Sequence, residues 1–200
     1  MRESAQILSV VKASRERWWS IVVLINNAGV CYDRFLVNMK PVDIHQEVET
    51  NLTAVIEMAQ AVLPVMLRQK SGHIINIVSI AGLIALPGNS IYTATQYGVY
   101  GFSEALRREV KHYGVRVTAF CLGYVATPLI PAQKEIAEVG THSAHMPGVM
   151  QPDRVARKIL QIIRHPFRQA ILPYYYSFLA AGANLSPEIA DYIVPLFVPK

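Results

Sequence analysis

The stretch GHIINIVSIAGLIALPGNSIYTATQYGVYGFSEALRREV (72–110), continued by KHYGVRVTAFCLGYVAT (111–127), decides the fold of this 200-residue chain. HIINIVS (73–79) is a nearly continuous apolar run, which suits a strand covered on both faces. It ends in Ser79. A loop containing Pro87-Gly88 follows, then a helix from Tyr92 to Tyr113 with Val99, Phe102, Leu106 and Val110 along one face. Gly114 is the natural helix stop. VRVTAFC (115–121) is a second buried strand, followed by Leu122-Gly123 and Thr127-Pro128.

Outward from this unit the same alternation continues. Residues 3–18 show a modest helical period that places Ile7, Val10, Val11 and Ser14 on one side. IVVLI (21–25) reads as a strand buried on both faces, and Asn26-Asn27-Ala28-Gly29 ends it. Small and amide residues at a strand's carboxyl end suit a ligand, which open α/β sheets bind there, but they equally suit an ordinary turn. Pro41 opens a short helix to Val48, and a longer one runs from about Asn51 to Gln69, with Leu52, Val55, Ile56, Ala59, Val62, Leu63 and Met66 recurring at three- and four-residue steps. Asn51 at its head reads as a cap, and Pro64 is expected to bend the helix. Pro152 opens a helix to about Arg164, and QAILP (169–173) is a short last strand. The fold class is therefore α/β, in a single domain over residues 1–200.

The thirteen positions between Ser79 and Tyr92, with NNAG at 26–29, Asn51 and the strand end at Gly123/Thr127, resemble the catalytic half of the classical short-chain dehydrogenase/reductases. That resemblance implies a Rossmann-like, doubly wound, mainly parallel sheet. It also implies an NAD- or NADP-linked exchange between a secondary alcohol and a ketone. Carried over position by position, Ser79, Tyr92 and Asn51 are the expected catalytic residues. Asn26, Asn27, Ala28, Gly29, Tyr92, Gly123, Val125 and Thr127 are expected against the cofactor. In the family Asn51 holds a water of the proton relay, residues 129–150 form a loop over the nicotinamide, and Gly98 and Gly101 pack closely in a dimer interface, so a homo-oligomer is expected.

Three departures stand out. The family motif Tyr-x-x-x-Lys reads Tyr92-Thr-Ala-Thr-Gln96 here, so Gln96 occupies the lysine position in both the catalytic and the cofactor set. No G-x-G occurs anywhere in the chain, so the Gly-rich phosphate cradle and the first β-α-β portion of the family domain are expected to be missing. Leu122 replaces the family's proline before Gly123.

Ketone reduction needs a hydroxyl to polarise the carbonyl, an acid to deliver a proton, and a held hydride donor. Ser79 and Tyr92 suit the first two. A phenol titrates near ~10, and a nearby cation lowers that value. Gln96 has the reach to hydrogen-bond a ribose hydroxyl but carries no charge, so a loss of turnover on the order of 10²-fold is expected unless another cation, Lys40 or Arg34, substitutes. Leu83, Ile84, Leu86, Leu129 and Ile130 suggest an apolar pocket for a small lipophilic alcohol or ketone. A second reading is a truncated, catalytically impaired relative, a pseudoenzyme acting as a subunit-binding module through the 52–69 and 92–113 helices. Either way, IVVLI is expected to be an exposed apolar edge.

Composition narrows the field further. The chain is 52 % hydrophobic and 16 % charged, as in a compact, well-buried globule. Its net charge of +5 is scattered at helical spacing and diluted by acids, which excludes a nucleic-acid footprint. Two cysteines, Cys31 and Cys121, neither of them in a CxxC pair, read as reduced thiols of a cytoplasmic protein. The six histidines show no metal-ligand spacing, and Ser79 lacks a G-x-S-x-G elbow, so neither a metal site nor a serine hydrolase is expected. No membrane span is expected, the nearest candidate being Ile171 to Ala183. The aromatic tail from Tyr174 fits pocket closure or a subunit contact better than a membrane surface, because it has few basic residues.

Overall fold

Residues 4–127 and 149–194 are described by the computed structural model. Four strands, β1 (Val23–Asn26), β2 (Gly72–Ser79), β3 (Val115–Leu122) and β4 (Gln169–Leu172), form one parallel sheet in sequence order. Each carries apolar residues, β-branched ones most of all in β2 and β3, and each is separated from the next by a helical crossover, as parallel pairing requires. The helices are α1 (Ser4–Trp18), α2 (Pro41–Val48), α3 (Ala54–Gln69), α4 (Ser90–Val110), α5 (Pro152–Arg164), α6 (Tyr176–Leu185) and α7 (Pro187–Ile193).

Both faces of the sheet are covered. Ile74, Val115 and Val117 pack with Val11, Val62, Met66, Leu106 and Val110 from α1, α3 and α4. The next residues along the strands, Ile75 and Phe120, turn the other way and meet Val155 and Ile162 of α5. A third cluster joins Val78, Ala119 and Cys121 to Val99 of α4 and to Tyr176 and Ala180 of α6. The expected doubly wound, Rossmann-like sheet is therefore present. As an edge, β1 pairs only with β2, and Ile25 and the adjoining Val22 are 40 % and 65 % exposed, so the strand is not buried on both faces. On α1, Ile7 and Val11 are buried while Val10 faces out.

The expected break between the helices at Val48 and Asn51 does not occur. Instead α2 and α3 join through one π-helical turn, Glu49–Thr53, with Asn51 buried inside it. Asn51 is thus not a cap. The joined helix, 41–69, has an 18-residue window apolar enough to cross a membrane by composition, a stretch overlooked in the sequence. Here Ala54, Val55, Ala59, Val62, Val65 and Met66 are buried in the core instead.

Gly114, at φ 76°, ends the 3₁₀ turn Lys111–Tyr113 that follows α4, and a Cβ there would lie 2.2 Å from the Lys70 carbonyl oxygen, so both conformation and space demand glycine. Of the two glycines in α4, Gly98 faces the Leu52 side chain, not another backbone, and Gly101 has nothing within 4 Å among the described residues.

Candidate active site

The carboxyl ends of β1, β2 and β3 open onto one cavity of about 630 Å³, which is within the ~300–1,000 Å³ typical of small-molecule sites. Ser79, Tyr92, Asn51 and Gln96 all line it, as do Asn27, Ala28, Gly29, Gly123, Val125 and Thr127. Of the residues expected there, Asn26 is absent from the lining. It is buried, and its Nδ2 donates to Asn76 Oδ1 at 2.8 Å, bridging β1 and β2.

Each polar side chain at this end is held by a specific neighbour. Ser79 closes β2 and caps a short 3₁₀ turn, its Oγ accepting from the Ala81 amide at 3.1 Å. Gly82 lets that turn lie against α4, since a Cβ there would come within 2.8 Å of the Gln96 carbonyl oxygen. Gln96 then reaches back, and its Oε1 accepts the Ser79 backbone N–H at 2.7 Å. The residue at the lysine position is therefore a brace between α4 and the end of β2. On the other side, Asn51 pairs with Val30 at two points. Its Oδ1 accepts the Val30 N–H at 2.9 Å and its Nδ2 donates to the Val30 carbonyl at 2.7 Å, with a weaker contact to Thr95 Oγ1. The π turn presents this amide to the NNAG loop, as π turns often do at functional sites.

The electrostatics run opposite to those of a lysine-activated tyrosine. Burial raises the Tyr92 phenol well above its ordinary range, and the neighbouring Cys31 and Glu47 push it the same way, while the Ser79 hydroxyl offsets this only in part. No cation contributes. Arg34 is instead paired with Asp43 at 3.2 Å, and Lys40 lies exposed at the start of α2, so neither expected substitute serves Tyr92. Tyr124, also on the cavity, is pushed up to about 12 by burial, with Asp33 and Cys31 adding to the shift.

Several site residues were missed in the sequence. Glu47 is fully buried one helical turn before Asn51. Its Oε1 accepts the Tyr32 amide at 2.8 Å, its Oε2 has no partner, and burial raises its pKa to about 7. The i, i+4 spacing to Asn51 on one helix was the available signal. Asp33, Asn89 and Tyr124 also line the cavity. Of the expected apolar lining only Leu86 takes part. Leu83 and Ile84 are buried in the core with Val99 and Tyr176, and Leu129 and Ile130, with most of the expected loop over the nicotinamide, lie outside the described residues. Leu122 and, from α5, Val155 and Ile159 supply apolar wall that was not expected. The tail folds as α6 and α7, and Tyr176 packs on Gly123, where a Cβ would lie 2.4 Å from its ring.

Comparison with known proteins agrees with this geometry. The profile of a family described as short chain dehydrogenase matches residues 1–137. A 3-oxoacyl-[acyl-carrier-protein] reductase of Synechocystis is 39% identical over 124 residues, covering 62% of this chain and 50% of that protein. The FabG 3-oxoacyl-[acyl-carrier-protein] reductase of Thermotoga maritima is 33% identical over 156 residues, covering 78% and 63%. The chain thus spans half to under two thirds of the length of these relatives. Among solved structures, a gluconate 5-dehydrogenase from Burkholderia cenocepacia in complex with NADP and tartrate superimposes with a TM-score of 0.74 at 25% identity, over 86% of this chain and 70% of that one.

Proposed function

Because the chain belongs to the short chain dehydrogenase family of oxidoreductases, we propose that its cavity binds NAD or NADP and interconverts a ketone and a secondary alcohol. The observation that carries this reading is the meeting of the Ser79 hydroxyl and the Tyr92 phenol on the wall of one cavity at the carboxyl end of a parallel sheet. The residues present fit the nicotinamide end of such a cofactor. Asn27, Ala28 and Gly29 on one side and Gly123, Val125 and Thr127 on the other are small or hydrogen-bonding, and would hold it. When bound, the nicotinamide supplies or accepts the hydride.

The chain's own residues prepare the carbonyl. Ser79 donates a hydrogen bond to the carbonyl oxygen, and Tyr92 delivers the proton. A phenol raised by burial stays protonated at neutral pH, so Tyr92 carries the proton that reduction needs, while the phenolate that oxidation needs is scarce. Ketone reduction is therefore the direction this site supports near neutrality, and alcohol oxidation should climb with pH. Gln96 holds Ser79 in place through its backbone amide, and Asn51 holds the NNAG loop. Leu86, Leu122, Val155 and Ile159 make much of the cavity wall apolar, which favours a lipophilic substrate.

A second reading draws on Gln96. With its amide oxygen engaged by Ser79 and no cation among the described residues that shift Tyr92, a non-catalytic role as a subunit-binding relative is the alternative. Titration with NADH and NADPH, followed by a ketone-reduction assay, separates the two. Micromolar cofactor binding with turnover supports the enzyme. Absence of binding at millimolar cofactor supports the module.

A further inference from the structure

We propose that Glu47 is a positioning residue for this cavity: it grips the loop after β1 at Tyr32 and so holds the wall against which a ketone binds. The inference rests on reading the cavity as a ketone–alcohol site.

Three rungs join the helix 41–69 to that loop. Arg34 Nη1 donates to Asp43 Oδ2 at 3.2 Å, the Tyr32 N–H to Glu47 Oε1 at 2.8 Å, and the Val30 N–H to Asn51 Oδ1 at 2.9 Å. The helix positions climb by four, 43, 47 and 51, while the loop positions fall by two, 34, 32 and 30. Four helical residues rise ~6 Å and two extended residues span ~6.6 Å, so the two segments stay in step when they run in opposite directions. Glu47 is the middle rung, and it is fully buried.

The residues between the rungs reach toward α4. Cys31 Sγ donates to Asn89 Oδ1 at 3.1 Å, and Asn89 Nδ2 donates to Asp33 Oδ1 at 2.8 Å. Asn89 directly precedes α4, the helix that carries Tyr92. The cavity is lined by Asn27, Ala28 and Gly29 before the rungs, by Asp33 among them and by Asn89 across from them. Glu47 does not line that wall itself; it acts through the Tyr32 amide. The reacting hydroxyls are placed by other contacts, Ser79 through Gln96 and Tyr92 by α4. Loss of the middle rung should therefore loosen binding more than it slows the chemistry.

Heptan-2-one is the probe, and Glu47→Leu and Glu47→Gln are the variants, each in the whole chain. Burial raises the Glu47 carboxyl to about 7, so below that pH an uncharged amide copies its common form and keeps an oxygen for the Tyr32 N–H. Amide hydrogen exchange at Tyr32 is expected to quicken about tenfold or more in Glu47→Leu and to stay within about threefold of wild type in Glu47→Gln. Exchange at Val30, held by Asn51, should be unchanged in both. The heptan-2-one dissociation constant, read by ligand-observed NMR without cofactor, should rise about tenfold in Glu47→Leu and within about threefold in Glu47→Gln. Its KM in NADH- or NADPH-linked reduction should follow the same ranking, with kcat held within about threefold. Unchanged heptan-2-one binding in Glu47→Leu, an equal loss in Glu47→Gln, or no binding to any of the three chains overturns the proposal. So does Val30 exchange that quickens in step with Tyr32, which would make the rung a matter of folding alone. Failure of the catalytic reading shows separately. Ketone binding that ranks as expected on a chain that binds neither NADH nor NADPH keeps the role of Glu47 and removes the reaction. Turnover with one KM across all three chains does the reverse.

Discussion

The two ends of the sheet bury polar groups in contrasting ways. At the carboxyl end, Asn51, Gln96 and Ser79 line a cavity, with Glu47 buried one helical turn before Asn51, and Asn51, Gln96 and Glu47 each hold a backbone amide of a facing segment. Toward the amino end, His73 of β2 meets Thr118 of β3 at 2.9 Å, and Thr118 donates to the Phe167 carbonyl, away from the residues that line that cavity. Each end also buries one ionisable group whose neutral form burial favours. Glu47 is raised to about 7 and His73 lowered to about 4, both mainly by burial. Each has one polar atom without a partner, Oε2 of Glu47 and Nδ1 of His73. Burial of a polar side chain therefore does not mark a site by itself.

The contrast is broken most severely through activity. Tyr92→Phe should lower NADH-linked ketone reduction by about 10²–10⁴-fold, whereas His73→Gln should leave the rate of the folded protein unchanged. Equal losses in both, measured per mole of folded chain, would erase the distinction between the ends.

Stability against pH sharpens it next, because the two groups carry opposite signs. Below pH 4.5 Glu47 is protonated whether the chain is folded or not. Between 4.5 and about 7 only the unfolded chain ionises, so this group makes folding less favourable as pH rises, by up to ~3 kcal/mol. His73 is neutral in both states above about 6.5. As pH falls from 6.5 to about 4 only the unfolded chain takes the proton, so stability is lost toward acid by a similar ~3 kcal/mol. The slopes nearly cancel where they overlap. Denaturant melts across this range should be flat for the wild type, fall toward acid in Glu47→Gln, and fall toward neutral pH in His73→Gln.

Smaller effects probe single contacts at the cavity. Gln96→Lys should raise alcohol oxidation at pH 8 by about tenfold and move its pH profile down, by placing a cation near Tyr92. It should also lower the melting temperature, since the Ser79 amide loses its acceptor. The smallest expected change is Thr95→Val, which removes a hydroxyl that donates to the Tyr92 carbonyl at 2.7 Å and should destabilise by ~1 kcal/mol in a thermal melt.

Much of this arrangement was legible in the sequence, and the misses have physical causes. The four strands, α1, α4 and α5 fell within a few residues of the expected bounds, because buried parallel strands read as apolar runs and the helices keep their period. Asn51 was misread as a cap because a π turn leaves no propensity signal, only an amide where the helix phase slips. Leu83 and Ile84 were misplaced on the pocket wall for a related reason. Apolar residues in a loop look alike until packing sorts core from cavity, and these two went to the core. Gln96 lines the cavity, but its hold on the Ser79 amide was set by the closeness of β2 and α4, which no spacing rule contains.

The Gln96 brace bears on how such a chain can change over generations. Glutamine and lysine codons differ only in their first base, so a lysine at this position is a single mutational step away. Once the glutamine oxygen holds the Ser79 amide, however, that step removes a contact the neighbouring strand end depends on. Return to lysine then needs a companion change to rehouse the amide, and a short path in the genetic code becomes a long one in fitness.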